Sequence, residues 1–235
     1  MAPPVCAQSG IDFDPSITQA EFEKFSRVIA QGIYASPVHP AGSASLIRFD
    51  IGLAVTAVPI DMDASYWRKA IGNEDIAWEN YVGVPRLVVV KGLSVITVAG
   101  SYAKIPDTDI TVLGGSIDVP IIDGGLLKPT VALRGSYSTI TGIEDIYKHK
   151  TYGLELFLGK GFGPVTPYGA IGRMRTDARG TIPATAQTPE IVLVDKGDID
   201  RYTVGVRISL GIPKLVFEAT QAEERSYSVK ISVGL

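Results

Sequence analysis

The chain has 235 residues, with 22 Lys and Arg against 25 Asp and Glu, and its net charge of −3 gives no basic footprint for nucleic acid. Its hydrophobic share of 46% and mean hydropathy of +0.20 are high, yet no run of about 18 apolar residues is present to make a membrane helix. One cysteine, Cys6, excludes an internal disulfide framework.

Residues 1–15 read as an irregular lead rich in Pro and small polar residues, and Met1-Ala2-Pro3 reads as an added start on a mature chain whose export signal has been removed. Over Gln19–Tyr34 the spacing of Phe22, Phe25, Ile29 and Ile33 predicts an amphipathic helix. Thr18 as N-cap with Glu21 three residues on forms a capping-box pattern. The linker Ala35-Ser36-Pro37-Val38-His39-Pro40-Ala41-Gly42 ends the helix, which divides the chain into an N-terminal part, 1–44, and the remainder, 45–235.

From Ser45 onward ten segments alternate apolar and polar residues, at roughly 46–58, 82–92, 94–104, 110–121, 129–139, 149–160, 165–177, 199–210, 214–222 and 226–235. Alternation places successive side chains on opposite faces of a sheet. In the last three segments one face is almost wholly apolar and the other carries Arg201, Arg207, Lys214, Glu218 and Lys230. Such a sheet needs oil on one side and polar partners on the other, and a closed transmembrane barrel supplies both. Several segments approach the length of about 9–11 residues that crosses a membrane at barrel tilt. Connections at 91–93, 122–128, 161–164 and 211–213 are short, and the alternate ones, headed by 57–81 and 178–198, are free to be long. With the apolar face set toward lipid, Tyr81, Tyr102, Tyr137, Tyr152, Tyr202 and Tyr227 gather on it at the long-loop end, and Tyr168 falls on it at the opposite end. Tyrosine favours the headgroup level because its ring is apolar and its hydroxyl is wet, so this clustering reads as an aromatic girdle.

By these residues the chain resembles the small bacterial outer-membrane β-barrel proteins over roughly 45–235. The resemblance implies an all-β, antiparallel up-and-down barrel of ten strands, lipid as surroundings, the bacterial outer membrane as location, and the barrel-assembly machinery as a partner during biogenesis. The final segment, Tyr227 to Leu235, is similar to the terminal signal that this machinery reads, but it ends in Leu235 where the family usually ends in an aromatic residue.

The polar phase names nine basic residues, Arg48, Arg86, Arg134, Arg173, Arg175, Arg201, Arg207, Lys214 and Lys230, and four acidic ones, Asp50, Asp118, Glu155 and Glu218. In a narrow lumen the carboxylates Asp50, Glu155 and Glu218 should be paired with guanidinium groups. Two readings follow: a structural network that fills a small barrel, or a narrow pore that prefers anions. The helix has two possible places as well. Its face of Phe22, Phe25 and Ile29 would be a poor match for an arginine-lined wall, which slightly favours an interfacial or partner-packed position over a lumen plug.

No catalytic constellation, cofactor motif or metal-ligand spacing stands out, and an enzyme is not expected. His39 lies in the linker. His149 lies near Glu144 and Asp145, but the paired acids of the outer-membrane proteases cannot be read here. The loop 57–81 carries Trp67 and Trp78 and suggests a surface for headgroups or a protein partner, as does the helix. The competing architecture is a soluble closed β-barrel that carries a lipid or other apolar ligand. Phase separates the two, because a soluble carrier turns its apolar face inward.

Overall fold

The computed structural model describes residues 10–41, 49–71, 80–105, 108–125, 128–184 and 189–234. In chain order it contains α1 (Gln19–Ile33), β1 (Phe49–Pro59), α2 (Ser65–Ile71), β2 (Tyr81–Leu93), β3 (Ile96–Lys104), β4 (Thr111–Ile122), β5 (Thr130–Thr141), β6 (Tyr147–Gly159), β7 (Val165–Ile182), β8 (Ile191–Asp195), β9 (Asp198–Ser209), β10 (Pro213–Gln221) and β11 (Arg225–Gly234).

Every strand pairing is antiparallel, and ten strands close on themselves. β1 pairs with β11 through Leu53 and Ile231, while β6 pairs with β7 through Leu156 and Ile171. Closure removes the edges that an open sheet would leave unpaired. The eleventh strand, β8, is not a wall strand. It pairs only with the far end of β7, from Ala178 to Ile182, and extends the wall at the long-loop end. It falls inside the connection 178–198, where five residues are too few to show alternation clearly.

The faces follow the chemistry. Leu53, Leu87, Leu113, Ile117, Leu154, Leu156, Ile171, Val204, Phe217 and Ile231 are exposed on the outside, while Asp50, Arg86, Asp118, Arg134, Glu155, Arg201, Glu218 and Lys230 are buried inside. A soluble apolar-ligand carrier needs the reverse phase. The six tyrosines Tyr81, Tyr102, Tyr137, Tyr152, Tyr202 and Tyr227 are exposed on the outer surface, and each lies in the half of its strand toward the long-loop end.

Strand β7 departs from the expected phase. Tyr168 is buried and points inward, and Arg173 and Arg175 point outward, with Arg173 paired to Asp200 at 2.8 Å. The reason lies in the sequence Tyr168-Gly169-Ala170-Ile171-Gly172-Arg173-Met174. It places small or apolar residues on both phases, so alternation cannot choose between them. Register chooses instead: Ile171 pairs with Leu156 and Tyr202, both on the outside.

Candidate functional site: the filled lumen

The helix α1 begins at Thr18 as expected. Its hydroxyl accepts from the Glu21 N–H at 3.3 Å, and the Glu21 carboxylate accepts from the Thr18 N–H at 2.8 Å. Lys69 of α2 reaches the same carboxylate at 3.0 Å. Hydrogen bonds from the Ser65 side chain and the Thr18 backbone lead the causes that hold Glu21 down at about 2.

The helix's apolar face enters the long-loop mouth of the barrel rather than lipid. Phe22 and Phe25 are completely buried, with Ile29 packed beside them. Phe13, Phe22, Phe25, Tyr147 and Trp67 form one ring cluster, with centroids 5.5 Å apart for Phe13 and Phe22, 5.7 Å for Phe25 and Tyr147, and 5.8 Å for Phe25 and Trp67. The expected mismatch with an arginine wall does not arise, because the wall at this level is Val58, Val84, Val112, Ile140 and Ala178. The arginines lie deeper. Gly180 makes room: a Cβ there would stand 2.6 Å from the Phe22 ring. A cavity of about 60 Å3 remains between α1 and the strands, lined by Val28, Ile33, Val84, Val112 and Ile140 among others.

Trp67 is therefore part of this core and not an exposed contact residue. The 57–81 connection folds α2 over the mouth, and Trp78 lies outside the described residues. Polar contacts fasten the helix's other side. Lys24 bridges Glu223 at 3.0 Å and Glu224 at 2.6 Å, and Arg27 stands 3.9 Å from the Asp195 carboxylate at the end of β8. Burial is the first cause that pushes Asp195 up to about 6, with Arg27 opposing it and Glu23 and Glu223 adding to it.

Below the helix, residues 34–41 run down the lumen toward the short-turn end. The wall cations bind this segment by its carbonyl oxygens. Arg86 donates to Gly32 O at 2.8 Å and to Tyr34 O at 2.7 Å, satisfying carbonyls that the helix end leaves without partners. Lys230 donates to Pro37 O at 3.1 Å, and Arg134 to His39 O at 3.1 Å. The Tyr34 hydroxyl donates to Glu155 at 2.9 Å, and the Arg201 guanidinium lies 3.9 Å over the Tyr34 ring while reaching Glu155 at 3.3 Å. Ser36 donates to Glu218 at 3.3 Å. His39, which the linker sequence offered as incidental, is buried, and its Nε2 faces Arg207 at 3.5 Å.

Asp118, Glu155 and Asp50 are ion-paired, the last with lysines, whereas Glu218 forms none of the ion pairs among the described residues and is held by the hydroxyls of Tyr168 and Ser36. Asp118 takes two bonds from Arg134, at 2.6 and 2.8 Å. Glu155 takes Arg201. Asp50 instead meets Lys230 at 2.9 Å, Lys214 at 3.4 Å and the Ser232 hydroxyl at 3.0 Å. Glu218 accepts from the Tyr168 hydroxyl at 2.5 Å, which gives the inward turn of that tyrosine a polar partner. Arg48 lies outside the described residues. His149 is buried with both ring nitrogens engaged, at 2.6 Å to the Tyr147 hydroxyl and 2.8 Å to Thr176. That arrangement braces the core beneath α1.

What the site brings together is thus an N-terminal segment and a wall far from it in sequence. The wall residues Asp50, Arg134, Glu155, Arg201, Arg207, Glu218 and Lys230 were legible from strand phase. The segment's part in the site was not, since a Pro-rich linker has no periodicity to read.

No family model and no curated protein sequence matches the chain. Among solved structures, the chain is similar to the N-terminal β-barrel domain of OprF from Pseudomonas aeruginosa, with 11% identity over 80% of this chain and 98% of that one and a TM-score of 0.37. It is similar to the outer membrane protease OmpT from Escherichia coli, with 7% identity over 82% and 98% and a TM-score of 0.42. Neisserial surface protein A matches with 11% identity over 82% and 99% and a TM-score of 0.32. The chain is a closed ten-stranded antiparallel barrel with an N-terminal helix, structurally similar to small outer-membrane β-barrels.

Proposed function

We propose that this chain is a non-enzymatic scaffold of the bacterial outer membrane, a barrel held shut by its own N-terminal segment. The observation that carries the reading is the seating of residues 34–41 in the lumen, with Tyr34 O, Pro37 O and His39 O each bound by a wall cation. An apolar outer belt with a tyrosine girdle supports the membrane setting. The helices α1 and α2 then form part of the long-loop face, which is the surface available to a partner.

The pore reading takes a conditional form. With the segment withdrawn, the described residues leave six of the named cations in the lumen, Arg86, Arg134, Arg201, Arg207, Lys214 and Lys230, against Asp50, Asp118, Glu155 and Glu218. That pathway prefers anions, because a narrow low-dielectric channel focuses the field of its wall charges. The excess is smaller than the sequence alone suggested, since Arg173 and Arg175 face outward.

Reconstitution tests the proposal. The chain should require detergent or lipid to stay folded, migrate differently on a gel before and after boiling, and leave ion-loaded vesicles sealed once inserted. Good solubility in plain buffer with migration that boiling never changes would refute the membrane setting, and steady leakage would refute the closed state.

A further inference from the structure

Strand β2 outruns its neighbour on one side. Its pairing with β3 starts at Leu93 and Ile96 and stops at Leu87 and Tyr102, whereas its pairing with β1 continues to Tyr81. Residues 81–86 of β2 therefore have no ladder partner on the β3 side, and Pro85 within them has no N–H to give. β3 instead turns into its hairpin with β4, which closes where the Ile105 N–H donates to Ile110 O at 3.0 Å. A slot is left in the wall between the upper part of β2 and the tip of that hairpin. Tyr102 marks the girdle at the foot of the slot, and Val84 and Val82 lie beyond Leu87 by about 8 and 13 Å toward the long-loop end. The slot thus faces headgroups and water, not the hydrocarbon.

Behind the slot lies the cavity of about 60 Å3 under α1, and its lining is aliphatic apart from Gly32, Gly83 and Trp67. Val82, Gly83 and Ile105 stand at its edge, where Val82 and Ile105 are partly exposed. Water needs polar partners that this lining lacks, so the space suits hydrocarbon. At about 10–15 Å3 for each water-sized sphere, it holds a chain of about four to six carbons. One charge stands beside the slot. Lys104, next to Ile105, is exposed on the outward face and forms none of the ion pairs found among the described residues. Neither β2 nor β3 contains an acid. Asp109 of the hairpin tip lies on the β5 side, where a Cβ at Gly142 would stand 3.7 Å from the Asp109 Cβ.

We infer that this cavity is a binding site for a medium-chain carboxylate arriving from the aqueous side, with its alkyl end under α1 and its carboxylate at Lys104. Burial of the chain supplies the affinity, and a charge-assisted hydrogen bond from the ammonium group fixes the orientation. The inference goes beyond the closed-scaffold reading, because the slot lies beside the helix and not along the segment 34–41 that fills the lumen.

Alkanoates brominated at the chain end test it, because bromine quenches indole fluorescence on contact and Trp67 lines the cavity. The full chain carries Cys6→Ser, which removes the thiol, and Trp78→Phe, which leaves Trp67 as its only tryptophan. In lipid nanodiscs, saturable quenching should tighten about fourfold for each methylene added beyond 4-bromobutanoate. It should level off by about the eighth carbon, where the cavity is full. Lys104→Gln should weaken 6-bromohexanoate by at least about threefold. Gly32→Leu, whose Cβ would stand 3.4 Å from Val84 Cγ2, fills the space from the helix side, and Val112→Phe fills it from the wall. Either variant, checked for folding by heat-modifiable migration, should abolish saturable quenching. Equal quenching in the intact chain and the folded, filled variants overturns the inference, and so does no saturable quenching in the intact chain. Affinity that keeps rising through 12-bromododecanoate also overturns it, since that marks partition into the bilayer. Unchanged affinity in Lys104→Gln overturns the place given to the carboxylate.

Discussion

The Tyr34 hydroxyl donates a 2.9 Å hydrogen bond to Glu155 inside the barrel, joining the end of the N-terminal helix to a strand 121 residues further along the chain. Arg201 completes the contact by covering the Tyr34 ring and pairing with the same carboxylate. Gly153, two residues before Glu155, permits the approach, since a Cβ at that position would run into the Tyr34 ring.

Tyr34→Phe removes the donor and leaves a buried carboxylate oxygen short of a partner, a loss of about 1–3 kcal/mol. The urea midpoint of the detergent-folded chain should fall accordingly. Gly153→Val should be more harmful, and Gly153→Val/Tyr34→Ala less harmful than Gly153→Val alone, because removing the ring frees the space. Additive effects in that double variant would show that the ring and the glycine do not share one space.

Arginine on the outer belt tests the phase of the sheet. Leu156 is exposed outside, and Val206 pairs with the outward Phe217. Leu156→Arg or Val206→Arg should each cost about 2–4 kcal/mol of folding stability in a bilayer. Ala184→Arg, at an exposed position just past the end of β7, should stay within about 0.5 kcal/mol. Equal tolerance at Val206 and Ala184 would mean that the belt does not face lipid.

Two rim carboxylates impose opposite pH dependences. Glu21 is held at about 2, so its contribution is present above its ordinary value of 4.5 and is lost as pH falls toward 2. Asp195 is pushed up to about 6, so the folded state favours its neutral form, and stability falls as pH rises from its ordinary 3.8 through about 6. Asp195→Asn should flatten the thermal-stability profile between about pH 4 and 6, and Glu21→Gln should flatten it below about pH 4. An unchanged profile in Asp195→Asn would show that burial does not penalise that charge.

The path of the chain fixes which end of the barrel carries the helix. Ala20 is exposed in the first turn of α1 at the long-loop end. In a Cys6→Ser background, Ala20→Cys should react with a membrane-impermeant maleimide on whole cells. Labelling only after lysis would place the helix end on the inner side.

Strand positions were legible because an apolar outer face and a charged inner face enforce a period of two, and the ten wall strands fall within a few residues of the alternating segments. The phase of β7 was hidden by Tyr168, Ala170 and Ile171, which put apolar bulk on both faces. The helix's burial was hidden for another reason. Its polarity match depends on the layer of wall it meets, and the apolar layer of Val84, Val112 and Ile140 forms only when strands distant in sequence close together. The linker carried little signal, since Lys230 and Arg134 hold it by backbone carbonyls that every residue possesses, and only Ser36 and His39 add side-chain contacts.

Planar-bilayer recording of the intact chain and of a chain lacking residues 10–41 tests the closed barrel most directly. The account predicts no steady conductance from the intact chain, and a conducting, anion-preferring pathway once the segment is gone. Steady conductance from the intact chain that deletion leaves unchanged would contradict it.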